Sequence, residues 1–151
     1  MTHVHHSAIH VQDVEVSLRF YRDGLGLEVL MDHEFDGDWR TLFGATSDRL
    51  HSVFLGDPGA PDTGIVELVA FEDGDGGARD TSVSGPPRFG FFLLSFFVDV
   101  DATIDRLAAA GFDAPATRVR IPGPGGDVEM ATVRDPDGVL VELIGVPPQS
   151  R

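Results

Sequence analysis

The stretch HSAIHVQDVEVSLRFYRDGLGLEV, residues 6–29, carries the signals of a strand, a helix and a second strand in close succession. Its first six residues alternate, with Ile9 and Val11 on one side, as in a half-buried strand. Asp13 then offers the carboxylate of a helix N-cap, and apolar residues follow it at helical spacing. Gly24 predicts the end of that helix, and GLEVLM just after it predicts the next strand.

The same order of signals recurs in the second half of the chain. Asp99 is the counterpart of Asp13, and Gly111 ends the helical pattern that follows it. Apolar runs predict the other strands, which are LHSVFL (50–55), GIVELVAF (64–71), GFFLLSFFV (90–98), GDVEMATV (126–133) and VLVELI (139–144). The first half therefore predicts a βαβββ module, and the second half, in which three of the four strands have a signal, is interpreted as the same module. Superposing the two places Glu67 and Glu142 at the same point of the last strand.

A polar segment rich in glycine separates the two halves. The residues EDGDGGARDTSVSGPP, 72–87, have the composition of a linker. We therefore expect one domain over residues 1–151, with module one at about 3–71 and module two at about 88–146.

The composition excludes several classes of function. The chain has 151 residues, of which 25 are acidic and 11 basic, and its net charge is −14. A nucleic acid or an anionic membrane surface needs a cationic partner, so neither is expected here. The absence of cysteine excludes disulfides, thiolate metal sites and cysteine nucleophiles. We find no signal peptide and no segment long enough to span a bilayer, which predicts a cytoplasmic protein.

Three side chains are candidates for chemistry because of where they stand. Glu67 and Glu142 each lie between apolar neighbours in a strand, where a carboxylate must face solvent, be paired or bind a cation. A single such glutamate is usually a solvent-facing residue, but two at matching positions weaken that interpretation. Alternation places His6 and His10 on the face away from the helix, and His5 on the opposite face from His6. His10 is roughly 13 Å along the strand from His6, so the two cannot share one ion.

The chain resembles the vicinal oxygen chelate superfamily, which includes glyoxalase I, extradiol dioxygenases and bleomycin-resistance proteins. The opening stretch quoted above matches its first signature, and DPDGVLVELIG, residues 135–145, matches its closing one. The resemblance implies an α+β fold, in which two βαβββ modules form a curved mixed sheet around a small-molecule cleft.

The resemblance also implies where a metal would be held. The ligand positions of metal-dependent members map onto His6, Glu67, Phe92 and Glu142, and a phenyl ring cannot bind an ion. A shift of one residue would offer Phe91 or Leu93, neither of which is a ligand. The implied site is therefore His6, Glu67 and Glu142 around a divalent metal, which would be Mn, Ni, Fe, Co or Zn if one binds.

Such a site favours a lyase or isomerase reaction of the glyoxalase type. The ion would hold a substrate through two adjacent oxygens, and Glu67 or Glu142 would act as the catalytic base. An extradiol dioxygenase needs two histidines and one carboxylate, so ring cleavage ranks lower.

The alternative is a metal-free binding protein that sequesters an antibiotic or an aromatic natural product. Phe92, Leu94 and Phe96 would line its cleft, and the possible contributors are Trp39, Phe35, Phe43 and Phe54. This aromatic cluster could equally be ordinary core or a dimer interface. We also place His10 and Arg40 at the substrate cleft. Arg40 could bind a substrate carboxylate or be a solvated loop residue. The resemblance also implies a homodimer.

Overall fold

The computed structural model describes residues 2–72 and 89–146, and these form two compact units. Each unit is a four-stranded mixed sheet with helical segments, as expected for a βαβββ module. The predicted α+β class with two such modules is confirmed. Apart from Glu72, the predicted linker at 72–87 lies outside the described residues.

The elements of the first unit are β1 (His6–His10), α1 (Val14–Leu18) continued by a π-helical turn (Arg19–Gly24), β2 (Glu28–Asp36), α2 (Trp39–Phe43), β3 (Arg49–Gly56) and β4 (Ile65–Phe71). The strands lie in the order β1-β4-β3-β2. β1 runs parallel to β4, and the other neighbours are antiparallel.

One face of this sheet forms the core with the first helical segment. The Asp13 carboxylate accepts a hydrogen bond from the Val16 backbone N–H at 3.1 Å, which starts the helix as predicted. Phe20 and Tyr21 of the π-helical turn are fully buried, as is Leu68 of β4. The opposite face of the sheet is therefore the one that remains for a functional site.

The elements of the second unit are β5 (Leu94–Val98), α3 (Val100–Ala109), β6 (Thr117–Gly123), β7 (Gly126–Arg134) and β8 (Leu140–Gly145). This unit repeats the topology of the first, with the strand order β5-β8-β7-β6. The Asp99 carboxylate caps α3 by accepting from the Ala102 N–H at 3.0 Å. Leu107 of that helix packs in a core with Val141 and Leu143, all of them buried.

Several predicted bounds are wrong. β5 begins at Leu94 rather than at residue 90, because Gly90 has a φ of +117° and residues 91–93 are not in a strand. β2 continues to Asp36 instead of ending at residue 31, and α2 and β6 were not predicted. β6 is a strand at the end of its sheet whose residues are almost all exposed, so it lacks an apolar run.

The strand registers reveal an offset between the two units. His10 pairs with Val69, two residues after Glu67, and Phe97 pairs with Ile144, two residues after Glu142. His10 and Phe97 are therefore equivalent, yet Asp13 follows the first by three positions and Asp99 follows the second by two. The first unit has one more residue between strand and helix.

No helix among the described residues has the length and apolar character that spanning a membrane requires.

Candidate functional site

Glu67 is a buried carboxylate near the middle of the first sheet, with 9% of the residue exposed. It lies on the face away from the helix, and both of its neighbouring strands contribute to its surroundings. Ser52 of β3, itself 1% exposed, donates its hydroxyl to Glu67 Oε1 at 2.5 Å. A hydrogen bond to an ionised carboxylate is among the stronger kinds, so this contact fixes the side chain.

His6 approaches the other carboxylate oxygen from the parallel strand. Its Nε2 is 3.2 Å from Glu67 Oε2, and the His6 side chain is 39% exposed. The strand pairing explains the meeting, because Ala8 stands directly opposite Glu67 and His6 lies two residues before it on the same face. The structure thus brings together two of the three predicted ligands.

Aromatic rings surround this pair on the same sheet face. Phe54 stands directly across from Glu67 on β3, and its ring lies 5.4 Å from that of His6 at an interplanar angle of 31°. Farther along, His10 packs edge to face against Phe71 at 5.4 Å. Phe54 and His10, both predicted to line a cleft, therefore share a face with Glu67.

His5 does not lie where alternation places it. Its Nδ1 is 2.8 Å from Nδ1 of His6, so the two imidazoles are neighbours and do not lie on opposite faces. The reason is local: β1 begins at His6, and the alternation of a strand does not extend to the residue before it.

Glu142 belongs to the second unit, where its surroundings are simpler. Ser95 stands directly opposite on β5 and donates its hydroxyl to Glu142 Oε2 at 2.7 Å. Glu142 is half-buried, and its Oε1 accepts no hydrogen bond from the described residues.

The predicted roles of Phe92, Leu94 and Phe96 need correction. Because Ser95 shares a face with Glu142, the adjacent Leu94 and Phe96 point to the opposite face of β5. Phe92 precedes the strand and is exposed. By the strand register, the residue of the second unit that is equivalent to His6 is Leu93, not Phe92. The one-residue offset before the helix cap is the cause of the error.

Trp39 and Arg40 both lie on the short helix α2. The Trp39 ring stacks on Phe43 at 5.6 Å, and its Nε1 donates to the Phe35 carbonyl at 3.2 Å. Arg40 Nε donates to Asp48 Oδ1 at 3.0 Å, so its guanidinium already has a carboxylate partner within the unit.

Within neither unit do the described residues include three or more histidine, aspartate or glutamate side chains placed to hold a metal ion. The first unit nevertheless offers two suitable donors. Ligands that each lie about 2.0–2.2 Å from one ion stand about 3 Å apart, and the 3.2 Å between His6 Nε2 and Glu67 Oε2 matches that separation. Imidazole nitrogen and carboxylate oxygen also suit divalent transition metals, so the pair fits as part of a site.

Sequence reasoning missed the two serines that hold the glutamates. Ser52 lies between His51 and Val53 in LHSVFL, and Ser95 lies between Leu94 and Phe96 in LLSFFV, both of them predicted strands. A hydroxyl in such a position needs a partner if it is buried, and that was the available signal.

A model of the glyoxalase/bleomycin resistance protein/dioxygenase superfamily matches residues 3–143. The chain belongs to this superfamily. It is 38% identical over 150 residues to the lactoylglutathione lyase-like protein terB of Aspergillus terreus, covering 95% of this chain and 75% of that protein. It is 28% identical over 139 residues to a probable lactoylglutathione lyase of Vibrio parahaemolyticus, covering 92% and 87%.

A solved glyoxalase-family protein from Bacillus cereus has the same fold. It superposes with a TM-score of 0.73 at 19% identity, covering 96% of this chain and 94% of that one. At this level of identity the likeness concerns the fold alone.

Proposed function

We propose that the protein is a metal-dependent lyase or isomerase that moves a proton on a substrate with two adjacent oxygens. The observation that supports this most is the pairing of His6 and Glu67. An imidazole nitrogen and a carboxylate oxygen lie 3.2 Å apart on one sheet face, and the buried Ser52 donates a hydrogen bond to the other oxygen of the same carboxylate.

In this proposal His6 and Glu67 would hold a divalent ion, and the sequence pattern assigns Glu142 either to the third ligand position or to the role of catalytic base. A bound divalent ion would polarise the carbonyl of the substrate and so acidify the neighbouring C–H group. The 3.2 Å separation of the two donor atoms supports this proposal, because donors that are already held near each other cost less to order around an ion.

The two glutamates differ in how free they are to take up a proton. Both oxygens of Glu67 have partners, Ser52 on one and His6 on the other, which suits a ligand. Glu142 has Oε2 held by Ser95, while its Oε1 accepts nothing from the described residues. Glu142 is therefore the better candidate for the catalytic base, because Ser95 orients the carboxylate and leaves one oxygen for the proton.

The names of the relatives suggest a substrate to test. Lactoylglutathione contains a hydroxyl group beside a carbonyl, which is the adjacent pair of oxygens that the proposal requires. Phe54, next to His6, would contact the part of the substrate that adjoins the reacting atoms.

The test is ion binding by purified protein, followed by activity on lactoylglutathione. We expect about one ion per chain from the set Mn, Ni, Fe, Co and Zn, by elemental analysis. His6→Ala and Glu67→Gln should each weaken Zn²⁺ binding by at least about tenfold, since each removes one ligand. His51→Ala is the matched control, because His51 is adjacent to Ser52 in β3, so it points to the opposite face, and its Nε2 contacts Asp32 Oδ1 at 2.7 Å. Protein that takes up no stoichiometric ion, even after soaking with these metals, would contradict the proposal.

The aromatic contacts on the same face support a second candidate, a metal-free protein that binds an aromatic natural product. Phe54 on His6 and Phe71 on His10 present ring faces and edges beside Glu67. In that case the wild-type protein and Glu67→Gln would bind a bleomycin-type antibiotic equally well, and Phe54→Ala would weaken the binding.

A further inference from the structure

His5 makes a contact that the proposed site does not yet explain. Its Nδ1 lies 2.8 Å from Nδ1 of His6, with the rings nearly perpendicular at 84°. The Phe54 ring packs against both imidazoles, at 5.8 Å from His5 and 5.4 Å from His6. A hydrogen bond and a shared aromatic neighbour therefore hold the two rings together.

The chemistry of this hydrogen bond depends on what His6 Nε2 does. A contact between two Nδ1 atoms needs one proton, carried by one ring and accepted by the other. When neutral His6 donates Nε2–H to Glu67, its Nδ1 carries no proton, so His5 must be the donor in the hydrogen bond between the two Nδ1 atoms. When Nε2 instead gives its lone pair to an ion, neutral His6 carries its proton on Nδ1, and His5 must be the acceptor.

We propose that His5 is a positioning residue for His6, which accepts the Nδ1–H of His6 when Nε2 binds an ion. The part of this inference that involves an ion rests on the proposed function, whereas the hydrogen bond between His5 and His6 does not. Ligating histidines generally donate their second ring nitrogen to a partner that fixes the tautomer and the ring orientation. Here that partner is another imidazole, which can also donate when no ion is bound.

Three variants separate the hydrogen bond from the packing. His5→Phe keeps an aromatic ring against Phe54 but removes the nitrogen. His5→Asn keeps a group that can accept or donate near the position of Nδ1. His3→Phe is the control, since His3 belongs to the same segment but contacts the Asp62 carbonyl, at 3.0 Å.

The first measurement is the affinity for Zn²⁺ alone, by calorimetry on the full chain. Loss of such a partner generally costs about 10–100-fold in metal affinity. We expect His5→Phe to weaken binding by at least about tenfold, His5→Asn to stay within about threefold of wild type, and His3→Phe to leave it unchanged. A folded His5→Phe protein that binds Zn²⁺ as tightly as wild type would overturn the proposal.

The second measurement is the ¹⁵N spectrum of the His6 ring without metal. Wild-type His6 should be the Nε2–H tautomer, and His5→Phe should shift the balance between tautomers because Nδ1 loses its donor. This result tests whether His5 controls the His6 ring even if the wild-type protein binds no Zn²⁺, an outcome that would overturn the proposed function and the ion-dependent part of this proposal. An unchanged His6 tautomer in His5→Phe would show that His5 does not control the ring.

Discussion

The two sheets place a glutamate at the same point of the same strand and then surround it differently. In the first unit, Ala8 stands opposite Glu67 and offers no donor, so the hydrogen bond comes from Ser52 on the other neighbouring strand. In the second, Ser95 stands opposite Glu142 and supplies the bond itself.

The remaining neighbours differ in chemistry as well. By register, Met130 stands where Ser52 does, because each pairs with the residue two positions after the glutamate. Leu93 takes the place of His6. The comparison teaches that the repeated scaffold decides where each carboxylate lies. The residues on the flanking strands decide whether that carboxylate contacts an imidazole, as Glu67 does, or is held by a serine hydroxyl alone among the residues that the structure describes, as Glu142 is.

The largest expected effect tests whether the two cores are equivalent. Leu68 and Leu143 each follow the glutamate directly and are both 0% exposed. Replacing either by alanine leaves a cavity, and we expect a loss of about 2–5 kcal/mol in the free energy of unfolding, measured by chemical denaturation. Leu42→Ala, at a residue 66% exposed, should cost less than about 0.5 kcal/mol. If only one of the two buried variants lost free energy of unfolding, the two cores would not be equivalent.

The second prediction sharpens the comparison of registers. Leu93→His places an imidazole at the register equivalent of His6, one residue before β5 begins, whereas Phe92→His follows the spacing to the helix cap. We expect Leu93→His alone to raise the affinity for Zn²⁺ by about tenfold, equivalent to about 1.4 kcal/mol, through an added ligand. If Phe92→His were the variant that gained affinity, the register argument would be wrong.

The helix caps provide the third prediction. Asp13 and Asp99 accept equivalent hydrogen bonds at 3.1 and 3.0 Å. Alanine at either position should destabilise the protein by about 1 kcal/mol, whereas serine should restore most of the loss. Thermal unfolding of the four variants provides the measurement, and an unaffected alanine variant would mean that its helix does not need the cap.

The smallest effect concerns α2, an element of the first unit between β2 and β3. Hydrogen bonds from the Thr41 side chain and backbone N–H hold the pKa of Asp38 below its ordinary value. A lowered pKa in the folded state means that the cap stabilises α2 at neutral pH, and that this is lost as pH falls through the lowered value. An NMR titration of the Asp38 carboxyl carbon checks this, and a midpoint at the ordinary value would contradict it.

Much of the fold was predictable because local signals agree with it. Asp13 and Asp99 begin helices, and the apolar runs around Glu67 and Glu142 are strands. The connection in the second unit was harder to predict. Arg118 and Arg120 alternate with apolar residues in β6, but the strand is exposed, and periodicity without burial is a weak signal.

In the candidate site, only the side chains that lie within a strand were predictable, because alternation assigns each of them to a face. His6 and Glu67 meet because their strands are neighbours. His5 was predicted on the wrong face because it precedes its strand. Phe92 was preferred to Leu93 because the first unit has one more residue between strand and helix cap than the second. Hydrogen bonds such as that from Ser52 depend on which strands become neighbours, and a single strand does not reveal this.

The strands at one end of each sheet, β2 and β6, bear on how the protein behaves at high concentration. An open strand edge can recruit a second chain and begin a fibre. β2 has an irregular register between Val29 and Met31, and β6 contains Pro122, which lacks an amide hydrogen. Charged side chains alternate along both strands. These features discourage edge-to-edge aggregation, so each sheet can remain open at this side without becoming a nucleus for amyloid.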